Sequence, residues 1–534
     1  MAEKIRYTFS LSKSGEKIPA IALASGESQS LHSMIDPIRE AQRLISSITD
    51  DIGFFIFLGL GGGFAPAAAL EKTNAQIIVI DFDRESVRCL LDSKDYSKIL
   101  NCGRVKLLTD PSDEEIKNNI KENYNPSLNG GIKTIPLRTR TEQSQAEFEK
   151  AVLAVQQAIE EISGDYSVQS YFGIRWFSNI IRNIINIGKN GNDFFLKNKK
   201  NKNIAVVAAG PSLDRQITSL KEKINERYFI ISCDTALPVL LHNGIKPDAV
   251  VSIDCQHISY YHFLGCDIKD IPLILDIASP PSFYDLSASS EFFISGHPLA
   301  RYIYSCMDGF IQLDTSGGNV TYTCLSLAEY LGAGNIIFFG ADFSYINSQT
   351  YAKGAYIYPY FDKKQSRHAP LEAQASALLY RSAFLPPEDT EKFQKDACRY
   401  YETSPLRFYR KKLEEKINTI NTDITFAKGD GAPVAHNKQK IKNDKPEIKY
   451  KEPENKNRRF SGRIFLEQYR DDIMMLPAFT DDYLSKLNSK ERQIFTTILP
   501  LTAAVKKRSP QLKQKDLIEE AKNLSVNKIE KALL

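Results

Sequence analysis

Apolar residues run almost unbroken over positions 52–60, overlapping the turn Gly59-Leu60-Gly61-Gly62-Gly63, and resume at Ala67-Ala68-Ala69-Leu70. Gln76-Ile77-Ile78-Val79-Ile80-Asp81 is a second apolar run, and positions 85–91 follow with helical spacing. Strand, glycine turn, helix, strand and acid in that order predict a Rossmann-like βαβ unit. Asp81 or Asp83 stands where such units place a ribose-binding carboxylate. A glycine turn needed only for tight helix–sheet packing explains the same residues without a ligand. Phe148, Val152, Val155, Ile159 and Ile162 share one helical face and close this part with an amphipathic helix. A second helix over 170–187, carrying Trp176, Asn179 and Asn183, reads as a connector, and the polar run 198–203 marks its end.

From 204 onward the pattern changes to short β-rich runs at 204–208, 228–232, 249–253, 272–275, 292–294 and 336–339. Loops and helices alternate with them, which predicts a mostly parallel, doubly wound sheet with helices on both faces. Ligands of such sheets bind beyond the carboxyl ends of the strands. Gly210-Pro211-Ser212, Asp234-Thr235, Asp254 and Asp342 all fall at such ends. After Ala435 lysines crowd a stretch with two prolines and few apolar residues, as expected of a flexible linker. Helical spacing then returns at Phe465/Tyr469/Ile473/Leu476, Ile494/Ile498/Leu501/Val505 and Leu517/Ala521/Leu524. The expected organisation is a Rossmann-like N-terminal domain (1–165), a helical connector (166–203), a central α/β domain (204–436), a basic linker (437–460) and a C-terminal helical domain (461–534).

A chain of 534 residues is too long for one hydrophobic core, in line with several domains. With 42% hydrophobic and 25% charged residues it reads as soluble and globular, and a net charge of +4 makes no case for nucleic acid. The eight cysteines are scattered without a Cys-x-x-Cys pair, so they are expected to be reduced thiols. No apolar run is long enough to span a bilayer and the N-terminus lacks an apolar signal core; the expectation is a cytoplasmic protein.

Two small-residue turns carry the candidate chemistry. At Gly210-Pro211-Ser212 the glycine permits a tight corner, proline sets its angle and Ser212 is placed to cap the next helix. Thr315-Ser316-Gly317-Gly318 is a second turn with a helix behind it. Bare N–H groups at such corners suit an anionic phosphate, which points to a nucleotide or nucleotide-sugar. Asp234 is suited to a base amino group or ribose hydroxyl and Thr235 to phosphate, although both also fit a helix cap. Asp254 has the position of a base, metal ligand or sugar contact, or of a simple cap. Tyr351 and Lys353, shortly after Gly340-Ala341-Asp342, would steady charge on a departing phosphate without a metal. His257, His262 and His368 form no metal spacing, and His368 reads better as a solvated loop residue than as a base.

These residues together resemble the motility accessory factors, or Maf proteins, which are flagellin glycosyltransferases. The resemblance rests on Ala209-Gly210-Pro211-Ser212-Leu213, Cys233-Asp234-Thr235-Ala236-Leu237, Gly244-Ile245-Lys246-Pro247-Asp248, Val251-Ser252-Ile253-Asp254, Gly317-Gly318-Asn319-Val320, Gly340-Ala341-Asp342 and Thr403-Ser404-Pro405-Leu406-Arg407-Phe408-Tyr409. The core is also similar to bacterial sialyltransferases, which bind CMP-sialic acid without metal. The resemblance implies a CMP-nonulosonic acid donor of pseudaminic or legionaminic type, flagellin Ser/Thr as acceptor, and no cofactor. It implicates Gly210, Pro211, Ser212, Thr315, Ser316, Gly317, Asp342 and Tyr351, with Gly318 in the same turn. Asp234 stands where the sialyltransferases have Asn, and their histidine base has no counterpart, which leaves Asp254 or an unidentified group to deprotonate the acceptor. A pterin pyrophosphokinase using ATP and Mg²⁺ on the same Gly-Pro-Ser-Leu-Asp turn, a non-catalytic flagellin-binding chaperone, and more remotely a methyltransferase on Gly59–Gly63 are the rival readings.

Overall fold

The computed structural model describes residues 6–22, 28–48, 51–190, 202–307, 309–347, 349–362, 365–371, 373–374, 377, 391–395, 398–436, 461–480 and 483–534. The lysine-rich stretch 437–460 and most of the polar run 198–203 lie outside them. The chain forms two compact units: Met1–Ile174 with Asp472–Ser525, and Arg175–Asp471 with Val526–Leu534.

In the first unit Tyr7–Leu11 (β1), Lys17–Ala22 (β2) and Ser28–Ser30 (β3) make an antiparallel sheet. Ile52–Leu58 (β4), Gln76–Asp81 (β5), Val105–Thr109 (β6) and Gly131–Pro136 (β7) make a parallel sheet ordered β6-β5-β4-β7. Its strands are covered on both faces, so the apolar run is continuous. Phe55 and Phe57 enter the core on one side, while Phe54, Ile56 and Leu58 enter the core on the other. The expected βαβ unit is present, with helices at Phe64–Lys72 and Arg84–Ser93.

The expected ribose carboxylate is not. Asp81 is fully buried: it accepts the N–H of Leu60 at 2.7 Å and of Phe82 at 2.8 Å and pairs with Arg140 at 2.9 Å. Asp83 caps the following helix through Ser86. Both acids are spent on the fold. The glycine turn is likewise filled from within. His32 Nε2 accepts the Gly62 N–H at 2.8 Å, Tyr96 donates to the Gly61 carbonyl at 2.7 Å, and a β-carbon at Gly61 would collide with Leu137 and His32. Burial, reinforced by Lys94, holds the His32 pKa down at about 4, so the ring stays neutral and able to accept.

The amphipathic helix and the connector are one helix of 46 residues, Gln145–Asn190, rather than two. Gly164 lies within it with open space around its α-carbon, costing about 1 kcal/mol of propensity without breaking the turn.

In the second unit the strands Asn203–Val207 (β8), Phe229–Cys233 (β9), Ala249–Ser252 (β10), Leu273–Asp276 (β11), Ser290–Ile294 (β12), Ile311–Gln312 (β13) and Asn335–Phe339 (β14) all run parallel. Tyr345–Ile346 (β15), Glu391–Lys395 (β16) and Cys398–Glu402 (β17) form a small separate sheet ordered β15-β17-β16. Asp423–Phe426 (β18) completes the large sheet, whose order is β13-β12-β11-β10-β9-β8-β14-β18. The six expected strands are present within a residue or two at their ends. The two edge strands were not expected, because β13 has only two residues and β18 alternates buried with partly exposed positions. The chain advances outward from β8 to β13, then returns to the other side of β8 at β14. That reversal makes the carboxyl ends of β8 and β14 a topological switch point, the place where doubly wound sheets bind ligands. No helix among the described residues is long and apolar enough to cross a membrane.

Replacing Asp81 by Ala strands a buried guanidinium, a loss of about 3–5 kcal/mol. Urea unfolding of the full chain is expected to begin at a clearly lower concentration in Asp81→Ala than in wild type; an unchanged profile would show that the pair contributes nothing.

Candidate functional site

The loops after β8 and β14 meet through a buried carboxylate. Asp342 Oδ2 accepts the Ser212 N–H at 2.8 Å across 130 residues of sequence, and the Gly210 N–H donates to the Gly340 carbonyl at 2.9 Å. The N–H groups expected to be bare at this corner are therefore taken by the protein. Ser212 does not cap its helix either. The hydroxyl instead accepts the Asp430 N–H at 3.1 Å. Burial raises the Asp342 pKa above the ordinary carboxylate value, opposed by the hydrogen bonds from Ser212.

Gln216, one turn into the helix Leu213–Asn225, ties three segments at this corner. Its Oε1 accepts the Gly340 N–H at 2.8 Å, and its Nε2 donates to the carbonyls of Ala427 at 3.2 Å and Lys428 at 3.0 Å. The stretch after β18 closes over the corner, with the Ala432 N–H donating to the Asp342 carbonyl at 2.9 Å and to Ser344 Oγ at 3.0 Å. A β-carbon at Gly210 would overlap Asp342 Oδ2 and the Gly340 carbonyl oxygen.

The second turn precedes the helix Val320–Tyr330, which is buried on nearly every face against the sheet. Asp314 organises it: Oδ1 accepts the Ser316 N–H at 3.0 Å, while Oδ2 accepts from Tyr322 Oη at 2.8 Å and faces Lys416 Nζ at 3.4 Å. Burial opposes ionisation, yet the hydrogen bonds from Ser316 and Tyr322 and the Lys416 charge hold the Asp314 carboxyl below its usual range. Asn319 caps the helix by accepting the Tyr322 N–H at 3.0 Å. The Gly318 N–H turns back to the Thr315 carbonyl. Gly317 and the first two residues of the helix are left with N–H groups that have no recorded partner among the described residues. The start of this helix lies beside β9, since Thr321 Oγ1 is 3.6 Å and Cys324 Sγ is 3.8 Å from Cys233 Sγ.

Asp234 follows Cys233 and is turned inward, 1% exposed. Its Oδ1 accepts the Thr235 N–H at 2.7 Å; its Oδ2 accepts from Ser252 Oγ at 2.7 Å and stands 3.2 Å from His262 Nδ1. An outward contact from Asp234 to a base or ribose is thus replaced by internal ones. Asp254 accepts the Gln256 N–H at 2.9 Å, the cap-like role that its sequence position also allowed. Tyr351 lies over β8, where the neighbouring Ala352 N–H donates to the Ala209 carbonyl at 2.9 Å. Burial, with Tyr356 beside it, raises the Tyr351 phenol well above its ordinary pKa. Lys353 is exposed, and its N–H donates to Asp214 Oδ1 at 2.9 Å. His368 is exposed in a turn and has no recorded contact with this group.

His262 is the residue that spacing alone did not single out. It is brought in by a 3-10 helix, His257–His262, and its ring packs 4.5 Å from that of Tyr356, which neighbours Tyr351 at 5.8 Å. The signal was available only as a histidine shortly after a strand end.

Further along the same edge, Asn179 Nδ2 donates to the carbonyls of Cys255 and Ala278, and Asn183 Nδ2 to those of Ile277 and Ser279. Two amides of the connector thus hold the loops after β10 and β11. Asp276, at the end of β11, accepts from the Ala278 N–H at 2.8 Å and Ser295 Oγ at 3.3 Å. Among the described residues no group of three or more His, Cys, Asp or Glu is placed to hold a metal ion.

Along 99% of its length the chain superimposes on 90% of the structure of a Maf glycosyltransferase from Magnetospirillum magneticum AMB-1, with a TM-score of 0.57 and 13% identity. The two share a fold. The family model described as "6-hydroxymethylpterin diphosphokinase MptE-like" matches residues 178–348, the segment that holds β8 to β14. Two uncharacterized proteins of Treponema pallidum (strain Nichols) are similar in sequence. One is 37% identical over 118 residues, 21% of this chain and 42% of that protein. The other is 29% identical over 186 residues, 33% of this chain and 86% of that protein. The match thus spans less than half of the first relative's length.

Two outcomes follow for this site. Gly210→Ala is expected to lower the thermal midpoint by several degrees, because Asp342 and the Gly340 backbone must both move; differential scanning calorimetry checks it. Burial lifts the Asp276 pKa from 3.8 to about 6, opposed by Ala278 and Ser295. The folded state then binds the extra proton between those values, so stability falls as pH rises from about 4 to 6 and levels off above. Asp276→Asn is expected to flatten that decline, up to about 3 kcal/mol, in urea titrations at a series of pH values.

Proposed function

We propose that the protein is a Maf-type glycosyltransferase. It moves a nonulosonic acid of pseudaminic or legionaminic type from a CMP donor to Ser or Thr hydroxyls of flagellin, in the cytoplasm and without a metal ion, in support of flagellum assembly and motility. The observation that carries the reading is the strand reversal between β8 and β14, which gathers the Gly210 corner, the Thr315–Gly318 turn, Tyr351 and the Asp234 loop at one sheet edge, in a fold shared with a Maf glycosyltransferase.

Because Asp342 already takes the Ser212 N–H, the Gly-Pro-Ser corner contributes shape and rigidity rather than a phosphate cradle. The donor phosphate is assigned to the amides of the Thr315–Gly318 turn at the start of Val320–Tyr330, where the helix dipole favours an anion. Tyr351 and Lys353 steady the leaving phosphate. Asp254, the expected base, already accepts the Gln256 N–H, and this reading alone leaves the identity of the base open.

The match of residues 178–348 to the MptE-like model supports a second reading, a pterin pyrophosphokinase in which ATP and Mg²⁺ bind the same edge with Asp254 as a ligand. Calorimetry separates the two. The transferase reading expects CMP to bind with a Kd in the micromolar to low millimolar range, ATP with Mg²⁺ not to compete, and flagellin incubated with CMP-nonulosonic acid to gain the sugar's mass. Tight ATP–Mg²⁺ binding with no response to CMP, or flagellin of unchanged mass, would overturn it.

A further inference from the structure

The geometry points to His262 as the general base that deprotonates the acceptor hydroxyl, with Asp234 as its positioning residue. This rests on the transferase reading and supplies the group that reading leaves open.

Three features of the arrangement bear on it. Asp234 is almost completely buried, and a hydroxyl and an N–H fix both its oxygens, so its carboxylate has one orientation. His262 Nδ1 is buried 3.2 Å from Oδ2 and has no hydrogen-bond partner among the described residues, so this carboxylate is the group it faces. A carboxylate there selects the tautomer with the proton on Nδ1, which leaves Nε2 as an acceptor. Nε2 has no recorded protein partner among the described residues, and the side chain keeps 10% of its surface exposed.

The site around the ring is also consistent. Tyr356 packs on its face at 4.5 Å and hydrogen-bonds with Tyr351, so the base and the tyrosine assigned to the leaving phosphate belong to one packed aromatic set. Titratable groups facing the ring from neighbouring elements are Asp234 after β9 and Tyr356, with Tyr351 behind it; Cys233 and Cys324 lie on the far side of Asp234. No cation among them competes for the proton. Beside His262 on the same segment, Ile258, Tyr260, Tyr261 and Leu264 are exposed, 38–56% of their surface. That rim suits an extended acceptor chain laid over the base.

The acceptor oxygen forms a bond to the anomeric carbon of the sugar while its proton passes to His262 Nε2. The bond from that carbon to the phosphate oxygen breaks, and its electron pair leaves with CMP. Imidazolium, stabilised by Asp234, then returns the proton to solvent.

The test uses the full-length protein with CMP-nonulosonic acid and flagellin. In His262→Ala the kcat for transfer is expected to fall about 10²–10⁴-fold while the Kd for CMP changes less than about threefold. Added imidazole is expected to restore part of the rate. Asp234→Asn is expected to lower kcat with a similar Kd, by disturbing the tautomer. His262→Asn serves as the second variant should the alanine protein fold poorly, as judged by circular dichroism. His262→Ala or His262→Asn transferring within about threefold of wild type would overturn the proposal. So would loss of transfer together with CMP affinity, or loss that imidazole does not rescue, since either assigns the ring a structural role. Wild-type protein that neither binds CMP nor transfers sugar would instead overturn the transferase reading itself.

Discussion

One buried carboxylate holds the candidate site together. Asp342, at the end of β14, takes the N–H of Ser212 at the end of β8, and its own carbonyl takes the N–H of Ala432. Burial makes this carboxyl costly to ionise, so the surrounding hydrogen bonds carry structural weight. Segments far apart in the chain become one rigid corner. Gln216 repeats the device with neutral groups, bridging Gly340 to the stretch after β18. The corner is held by hydrogen bonds internal to the protein.

The same logic runs through the first unit, with a different result. Its glycine turn, helix and second strand have the order of a dinucleotide fold, yet Asp81 faces Arg140 and His32 fills the turn. A side chain that accepts an amide N–H does what a phosphate oxygen would do. The glycines are needed because Leu137, His32 and Tyr96 approach the backbone closely, and packing alone accounts for them.

In the second unit, by contrast, the edge retains polar groups that have no partner among the described residues. The N–H groups at the start of Val320–Tyr330 and the Nε2 of His262 are on loops that a parallel sheet must place at the same end. On the proposed transferase reading, the donor phosphate goes to the first and the acceptor hydroxyl to the second. The tyrosines of 351–360 lie against the second and lead back toward β8.

Continuous apolar runs were legible because strands covered on both faces need them, so β4, β5, β8 to β12 and β14 could be read from residue type, as could the small-residue turns that follow them. Edge strands β13 and β18 could not, since a strand half open to solvent carries no unbroken apolar run. Nor could partners: whether the N–H groups of a Gly-Pro-Ser corner are bare depends on Asp342, 130 positions away. Asp234 looked like a ligand contact until Ser252 and His262 claimed it, and His262 looked incidental until the loop after β10 brought it to Asp234. Local chemistry sets which elements form and where chains turn, because those depend on near neighbours. Which polar groups remain free for a substrate is a property of the assembled sheet edge, because each is decided by a group from another loop.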